Sequence, residues 1–297
     1  MPAAVRPFER RDRDQLTALV NLHVAAVIPG ITLSVNAVLG QLDREPQETI
    51  VDPWVAERCC LVVERQDGIA AAALLHRFRA DEDVSDSYRG TGEIRWLVCA
   101  TDAVDEGSRL LETVLERMRA WRVRSVGADC VLPALACYGI PITLPHLRRL
   151  LVSAGFSEPT RTELVLAAKC EDLPGQIMDG LETSRTLGLL GARVTLSRTG
   201  TELGFIEICD QPAEMARSSI AQRWADVGNL VVHDQADAAK VVPALLSAGA
   251  DWMRLGGIAR LIAYWADDVD PAERLAQLKL AGFKVLVSNE RGFMRQI

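Results

Sequence analysis

The residues able to do chemistry in this chain sit at the edges of apolar runs. Glu93 and Asp226 each open such a run and could take a proton as a general base. Tyr138 and Tyr264 could give one back. Asn229 lies inside the run Val227 to Val232, where a polar side chain needs a partner, either a ligand or a structural hydrogen bond. His233 follows that run directly, and His146 precedes Arg148 and Arg149 just after Pro145. Lys240 is a candidate for a phosphate. Seven cysteines are scattered without a CxxC pair, so no zinc site is expected, and reduced core cysteines account for them. No GxSxG motif signals a serine nucleophile.

These side chains need scaffolding, and one stretch supplies it twice. Trp224 to Trp265 reads as strand, turn, helix and strand, with Val241, Val242, Leu245, Leu246, Ala248, Trp252 and Met253 along one helix face. Gly92 to Cys130 has the same order, with Leu110, Leu111, Val114, Leu115, Met118 and Trp121 on its helix. The two helices align about 135 positions apart, which indicates a duplicated domain rather than a short-period solenoid.

The rest of the chain fits around these units. The first half reads as a strand (Ala3 to Phe8), two helices, a hairpin around Gln66-Asp67-Gly68, the fourth strand, its helix, an irregular run with three prolines, a helix over His146 to Ala154, and a strand over Thr162 to Ala168. Glu171 to Gly175 is the expected linker. The second half reads as a helix over Ile177 to Leu190, a hairpin around Arg198 to Thr201, a polar connection over Gln211 to Arg223, the second unit, a helix over Pro271 to Leu280 and a closing strand pair. Domains at 1–170 and 176–297 follow, in an α+β fold.

Composition narrows the partners. At 297 residues with 49% hydrophobic, two cores can be buried. A net charge of −7 argues against DNA. The N-terminus has no apolar signal core, and no run approaches membrane-spanning length, so a cytoplasmic protein is expected.

The element order resembles the GCN5-related N-acetyltransferase (GNAT) superfamily, and within it actinobacterial proteins carrying two such domains in tandem. The stretches that carry the likeness are YGIPITLPHLRRLLVSAGF (Tyr138 to Phe156), WADVGNLVV (Trp224 to Val232) and ADWMRLGGIARLIAYW (Ala250 to Trp265). The resemblance implies two mixed, mostly antiparallel sheets flanked by helices, each with splayed central strands. It implies acyl transfer from acetyl-CoA or another acyl-CoA to a small amine, with the pantetheine arm added to strand four at Val98 or Val232. It implies a base at Glu93 or Asp226, with Tyr264 as acid. Asn229, Tyr138 and His233 would contact substrate.

The family's glycine-rich turn before the long helix is eroded. Asp102 and Asp105 stand in it in the first half, and Asp237, Lys240 and Val242 in the second. The usual tyrosine before each Gly-Phe is Leu151 or Leu278. Both halves are therefore expected to be impaired for CoA, the second more so; Gly107 and Ser108 remain at one helix start, so the first is the expected site if one half still binds it. A repurposed CoA-independent enzyme of this fold is the alternative. So is an aminoacyl-tRNA-dependent transferase, against which the chain's net negative charge speaks, or a non-catalytic scaffold.

Overall fold

A computed structural model describes residues 4–43, 51–66, 68–134, 136–173, 180–210, 223–234 and 237–297. The Asp67 turn, the end of the linker at residues 174 and 175, and the connection over 211–222 lie outside them.

The first half runs β1 (Val5–Pro7), α1 (Arg13–Val27), α2 (Val35–Leu42), β2 (Val55–Arg65), β3 (Gly68–Phe78), β4 (Gly92–Cys99), α3 (Val104–Ala120), β5 (Ser125–Ala128), β6 (Ile140–Pro141), α4 (Pro145–Ser153) and β7 (Arg161–Lys169). The second runs β8 (Glu182–Gly188), β9 (Gly191–Arg198), β10 (Thr201–Asp210), β11 (Trp224–Val232), α5 (Ala238–Leu255), β12 (Arg260–Ala266), α6 (Ala272–Leu280), β13 (Lys284–Arg291) and β14 (Phe293–Gln296).

The chain forms two compact units, but not the contiguous pair expected. One comprises Met1–Thr162 with Asn289–Ile297, the other Glu163–Ser288. In the first, the sheet order is β1-β2-β3-β4-β5-β14. In the second it is β13-β7-β12-β11-β10-β9-β8. β14 pairs antiparallel with β5, from Phe293–Ala128 to Gln296–Ser125. β7 pairs with β12, from Glu163–Ala266 to Lys169–Arg260. Each half therefore lends its last strand to the other unit's sheet. This corrects the division at 170 and 176, the assignment of Thr162 to Ala168 to the first half, and the closing strand pair of the second. An alternating pattern specifies an edge to be covered, not the strand that covers it.

The helix expected over Ile177 to Leu190 is also corrected where it is described. Glu182–Gly188 is strand β8, hydrogen-bonded to β9. Gly188 and Gly191 close the turn between them, and Gly191 takes φ +124°, which a side chain would strain.

Amphipathic periodicity explains the long helices. In the first unit Leu110, Leu111, Val114, Leu115 and Met118 of α3 pack with Leu61, Val63, Leu75 and Leu97 of the sheet and Leu147, Leu150 and Leu151 of α4. α1 lies against β3 and β4, and α2 reaches β4 where Gln41 accepts the Trp96 indole N–H at 3.1 Å. In the second unit α5 packs Val241, Val242, Leu245, Leu246 and Met253 on Val194, Ile206, Ile208 and Leu261. Gly249 allows this approach, since a Cβ there would fall 2.6 Å from Ile208 Cδ1. α4 and α6 end alike: Phe156 N–H bonds the Leu151 carbonyl at 3.1 Å and Phe283 N–H the Leu278 carbonyl at 3.0 Å, with Gly155 and Gly282 at positive φ before them. Leu151 and Leu278 are buried in these packing positions.

Candidate functional site

Both sheets fork at their centre. β4 and β5 run parallel and pair only at Gly92–Val126 and Glu93–Gly127. β11 and β12 pair only from Trp224–Arg260 to Asp226–Ile262. Beyond these points the fourth strand turns a free edge toward the wedge. Glu93 and Asp226 are the last paired residues, so each carboxylate stands where its fork opens.

In the first unit the wedge is filled by the protein itself. The Ala100 N–H bonds Ala70 of β3 at 2.9 Å, so the backbone groups of Cys99 turn the other way, toward the wedge. His146 Nε2 lies 3.0 Å from the Cys99 carbonyl oxygen. His23 Nε2 accepts the Cys99 N–H at 3.2 Å. Val131 N–H bonds the Arg95 carbonyl at 2.6 Å, and Cys130 beside it is buried in the same core as Leu97. The irregular segment after β5, with α1 and α4, thus occupies the β4 edge at Arg95 and Cys99. Trp96, Leu97, Val98 and Cys99 are all buried. Burial holds His23 neutral, with its pKa down at about 4, and pushes the Cys99 and Cys130 thiols up to about 12.

The start of α3 is equally occupied. Arg65 bonds the Asp102 carboxylate at 3.0 Å and Glu106 at 2.9 Å, which holds the Glu106 carboxyl below its usual range. Gly107 serves packing, not approach of a ligand: a Cβ there would meet Leu150 Cδ1 at 2.6 Å and Cys99 Sγ at 3.0 Å. Ser108 Oγ donates to Val104 O at 3.0 Å within the helix. Gly107 and Ser108, named from the sequence as cofactor contacts, are thus engaged inside the fold, and Val98 is in the core.

The second unit differs. Past Asp226 the β11 strand stays accessible: Gly228 is exposed, and Asn229, Leu230 and Val231 are half-buried. The Leu230 carbonyl accepts Arg274 Nη1 of α6 at 2.6 Å. Asn229 Nδ2 donates to Glu207 Oε2 at 2.7 Å, and that bond is the main reason the Glu207 carboxyl is held low. Val232 is in the core. His233 Nε2 lies 2.9 Å from Glu202 Oε1, which also takes Arg193 at 3.0 Å, so His233 is tied to the β9–β10 hairpin. Val242 is fully buried and Lys240 exposed at the start of α5.

The register puts Asp226, Ile262 and Tyr264 on one sheet face, with Glu163 of β7 opposite Ala266 on the same face. α5 packs on the other face, over Ala225, Val227, Leu261 and Ala263. The Asp226 carboxyl is pushed up to about 7, first by burial and further by the Glu163 charge, while the Tyr264 hydroxyl pulls the other way. The expected pair Asp226 and Tyr264 is therefore assembled. Glu163 was not legible, because its strand was assigned to the other domain.

Glu93 has a different surround. Its Oε1 is 3.4 Å from Arg95 Nη1 and its Oε2 3.3 Å from His76 Nδ1. Burial raises its pKa, but His76 and Arg95 outweigh burial and hold the carboxyl below its ordinary range. Tyr138 sits under the Arg291 guanidinium, 5.7 Å from the ring centre.

Structure comparison gives several likenesses over nearly the whole of this chain. A tandem GNAT protein from the clavulanic acid biosynthesis pathway superposes with TM-score 0.63 at 12% identity, over 99% of this chain and 98% of that one. A GCN5-related N-acetyltransferase from Sphaerobacter thermophilus gives 0.63 at 12%, over 99% and 95%. A GCN5-related glucosamine N-acetyltransferase region of a fungal multi-domain GH3 β-N-acetylglucosaminidase gives 0.62 at 13%, over 99% of this chain and 38% of that one. No family model matches the sequence, and no curated protein does. The chain has a tandem GNAT fold. Among the described residues no helix is long and apolar enough to cross a membrane.

Proposed function

We propose that this chain is an acyltransferase whose chemistry lies in the second unit, moving an acyl group from a CoA thioester to a small amine. The observation that carries the reading is the half-buried Asp226, with a pKa of about 7 beside Tyr264, at the opening of the β11–β12 fork. A carboxylate poised near neutral pH is matched to taking a proton from an ammonium ion. Tyr264, on the same sheet face, would give a proton to a leaving thiolate.

The fit of CoA is split. The accessible backbone from Gly228 to Val231 offers an edge for the pantetheine arm. Among the described residues, the start of α5, with Asp237 at its cap position and Val242 buried, offers no cradle for a diphosphate. A CoA thioester would supply the activated acyl group, and its arm would carry most of the affinity. On this reading the first unit is the degenerate one, because its β4 edge is filled by Val131, Cys130, His23 and His146.

The test is acetyl transfer to a panel of small amines by the full chain, alongside Asp226→Asn and Tyr264→Phe. The reading predicts turnover that Asp226→Asn reduces by about a hundredfold or more. Turnover unchanged in both variants, or no turnover with acetyl-, propionyl- and malonyl-CoA, would sink it.

A further inference from the structure

We propose that the second unit pairs with a second copy of this chain through the outer edge of β8, joining two sheets across a twofold axis. β8 ends its sheet, and among the described residues no strand covers its far side. Its register with β9 runs unbroken from Glu182–Ser197 to Gly188–Gly191, and it carries no lysine, proline or bulge, the devices that blunt a free edge. Large apolar side chains gather there. Leu187 and Leu189 are each 89% exposed, and Leu190 is 41% exposed. Trp252 of α5 joins them, because the Arg185 guanidinium lies over its ring, 5.1 Å from the centre. Single exposed leucines are ordinary, but a group of them along an unpaired edge marks a contact surface.

The strand complements itself. A two-residue turn makes Gly188 and Gly191 the closing hydrogen-bonded pair. Alternate residues from there, Leu187, Arg185 and Thr183, therefore turn their backbone N–H and C=O groups away from β9. An antiparallel second copy centred on Ser184 sets Thr183 opposite Arg185 and Leu187 opposite Leu181, each pair exchanging backbone hydrogen bonds. These four side chains share the α5 side of the sheet, as Arg185 over Trp252 shows. On the other side Glu182 meets Thr186 and Ser184 meets its own copy. No like charges stand opposite each other, whereas centring on Arg185 would oppose two guanidiniums. This self-matching, with Leu181 facing Leu187 at both ends, favours a second copy over a foreign strand as the occupant. A contact of this kind uses the same surface on both chains and closes at two.

The experiment is sedimentation of the full chain over a micromolar concentration range, with variants at the edge. Wild type should sediment as a concentration-dependent dimer and nothing larger. Leu187→Lys should weaken dimerisation by about tenfold or more, with circular dichroism confirming the fold. Thr183→Pro provides the same test should Leu187→Lys not fold, because it removes an outward N–H and spares the ladder to β9. Leu22→Lys, at an exposed leucine of the first unit, should leave the dimer unchanged. Ser184→Cys should cross-link two chains on mild oxidation, with the unsubstituted chain as control, since facing residues that do not share hydrogen bonds bring their Cβ atoms within disulfide reach. A monomer at every concentration, assemblies larger than two chains, a dimer that survives both edge variants or is lost in Leu22→Lys, or a dimer that Ser184→Cys leaves uncross-linked would overturn the proposal. So would a foreign peptide that co-purifies with wild type and is lost from Leu187→Lys.

Discussion

His146 Nε2 lies 3.0 Å from the carbonyl oxygen of Cys99, on the edge of β4 that faces away from β3. That oxygen belongs to the strand a GNAT fold would leave open for a thioester arm. Here a side chain of the same chain takes it, and His23 takes the N–H of the same residue. A buried carbonyl with its donor removed costs about 1–3 kcal/mol. His23 Nε2 also lies 3.2 Å from the Cys99 oxygen, so His146→Ala should lower unfolding stability by at most that amount, read by urea denaturation. It should not create CoA binding in the first unit, because Val131 still holds the strand.

Asp226 predicts a pH dependence with a definite sign. Its folded pKa of about 7 is above the ordinary 3.8, so between these values the folded chain keeps a proton the unfolded chain has lost. Stability contributed at this site falls as pH rises through that window, with a ceiling of about 4 kcal/mol. Asp226→Asn should be more stable than wild type at pH 8, and the two should converge below about pH 4. Equal stability of the two proteins at pH 8 would show that burial does not hold Asp226 protonated.

Transfer rate should move oppositely to stability. The base must be ionised, so kcat/KM should rise through about pH 7 and level off above it. Tyr264→Phe removes the hydroxyl that pulls the Asp226 pKa down, so the inflection should shift to higher pH as the rate falls by about tenfold or more. A rate loss with an unmoved inflection would mean that Tyr264 does not touch the Asp226 equilibrium.

Gly107 offers a packing test. An added methyl would meet Leu150 Cδ1 at 2.6 Å and Cys99 Sγ at 3.0 Å. Gly107→Ala should cost about 1–3 kcal/mol through overpacking, despite the better helix propensity of alanine. A gain in thermal stability would show that α3 and α4 can separate freely.

The donor's diphosphate should matter little. With Val242 buried and Asp237 capping α5, CoA and pantetheine should compete for the second unit with affinities within about tenfold of each other. A CoA affinity a thousandfold above that of pantetheine would place a phosphate site in this unit after all.

The sequence by itself determined the local elements and their duplication. Leu110-Leu111 and Leu245-Leu246 mark equivalent helix faces, and Gly155-Phe156 and Gly282-Phe283 mark equivalent helix ends, because periodicity and positive-φ glycines act within a few residues. It also placed Glu93 and Asp226 at the strand starts. It misread β8 as helix, since a short edge strand is fixed by the ladder to β9 rather than by its own pattern. Tertiary structure alone decided that β7 pairs β12 while β14 pairs β5. It also decided that one fork is filled and the other accessible, and that the Asp226 carboxyl is pushed above its ordinary pKa while that of Glu93 is held below. Those outcomes depend on which distant groups share a buried space: Val131 and Cys130 against β4 in one unit, Glu163 and Tyr264 around Asp226 in the other. Burial and Coulomb interaction act through space, and no spacing along the chain records them.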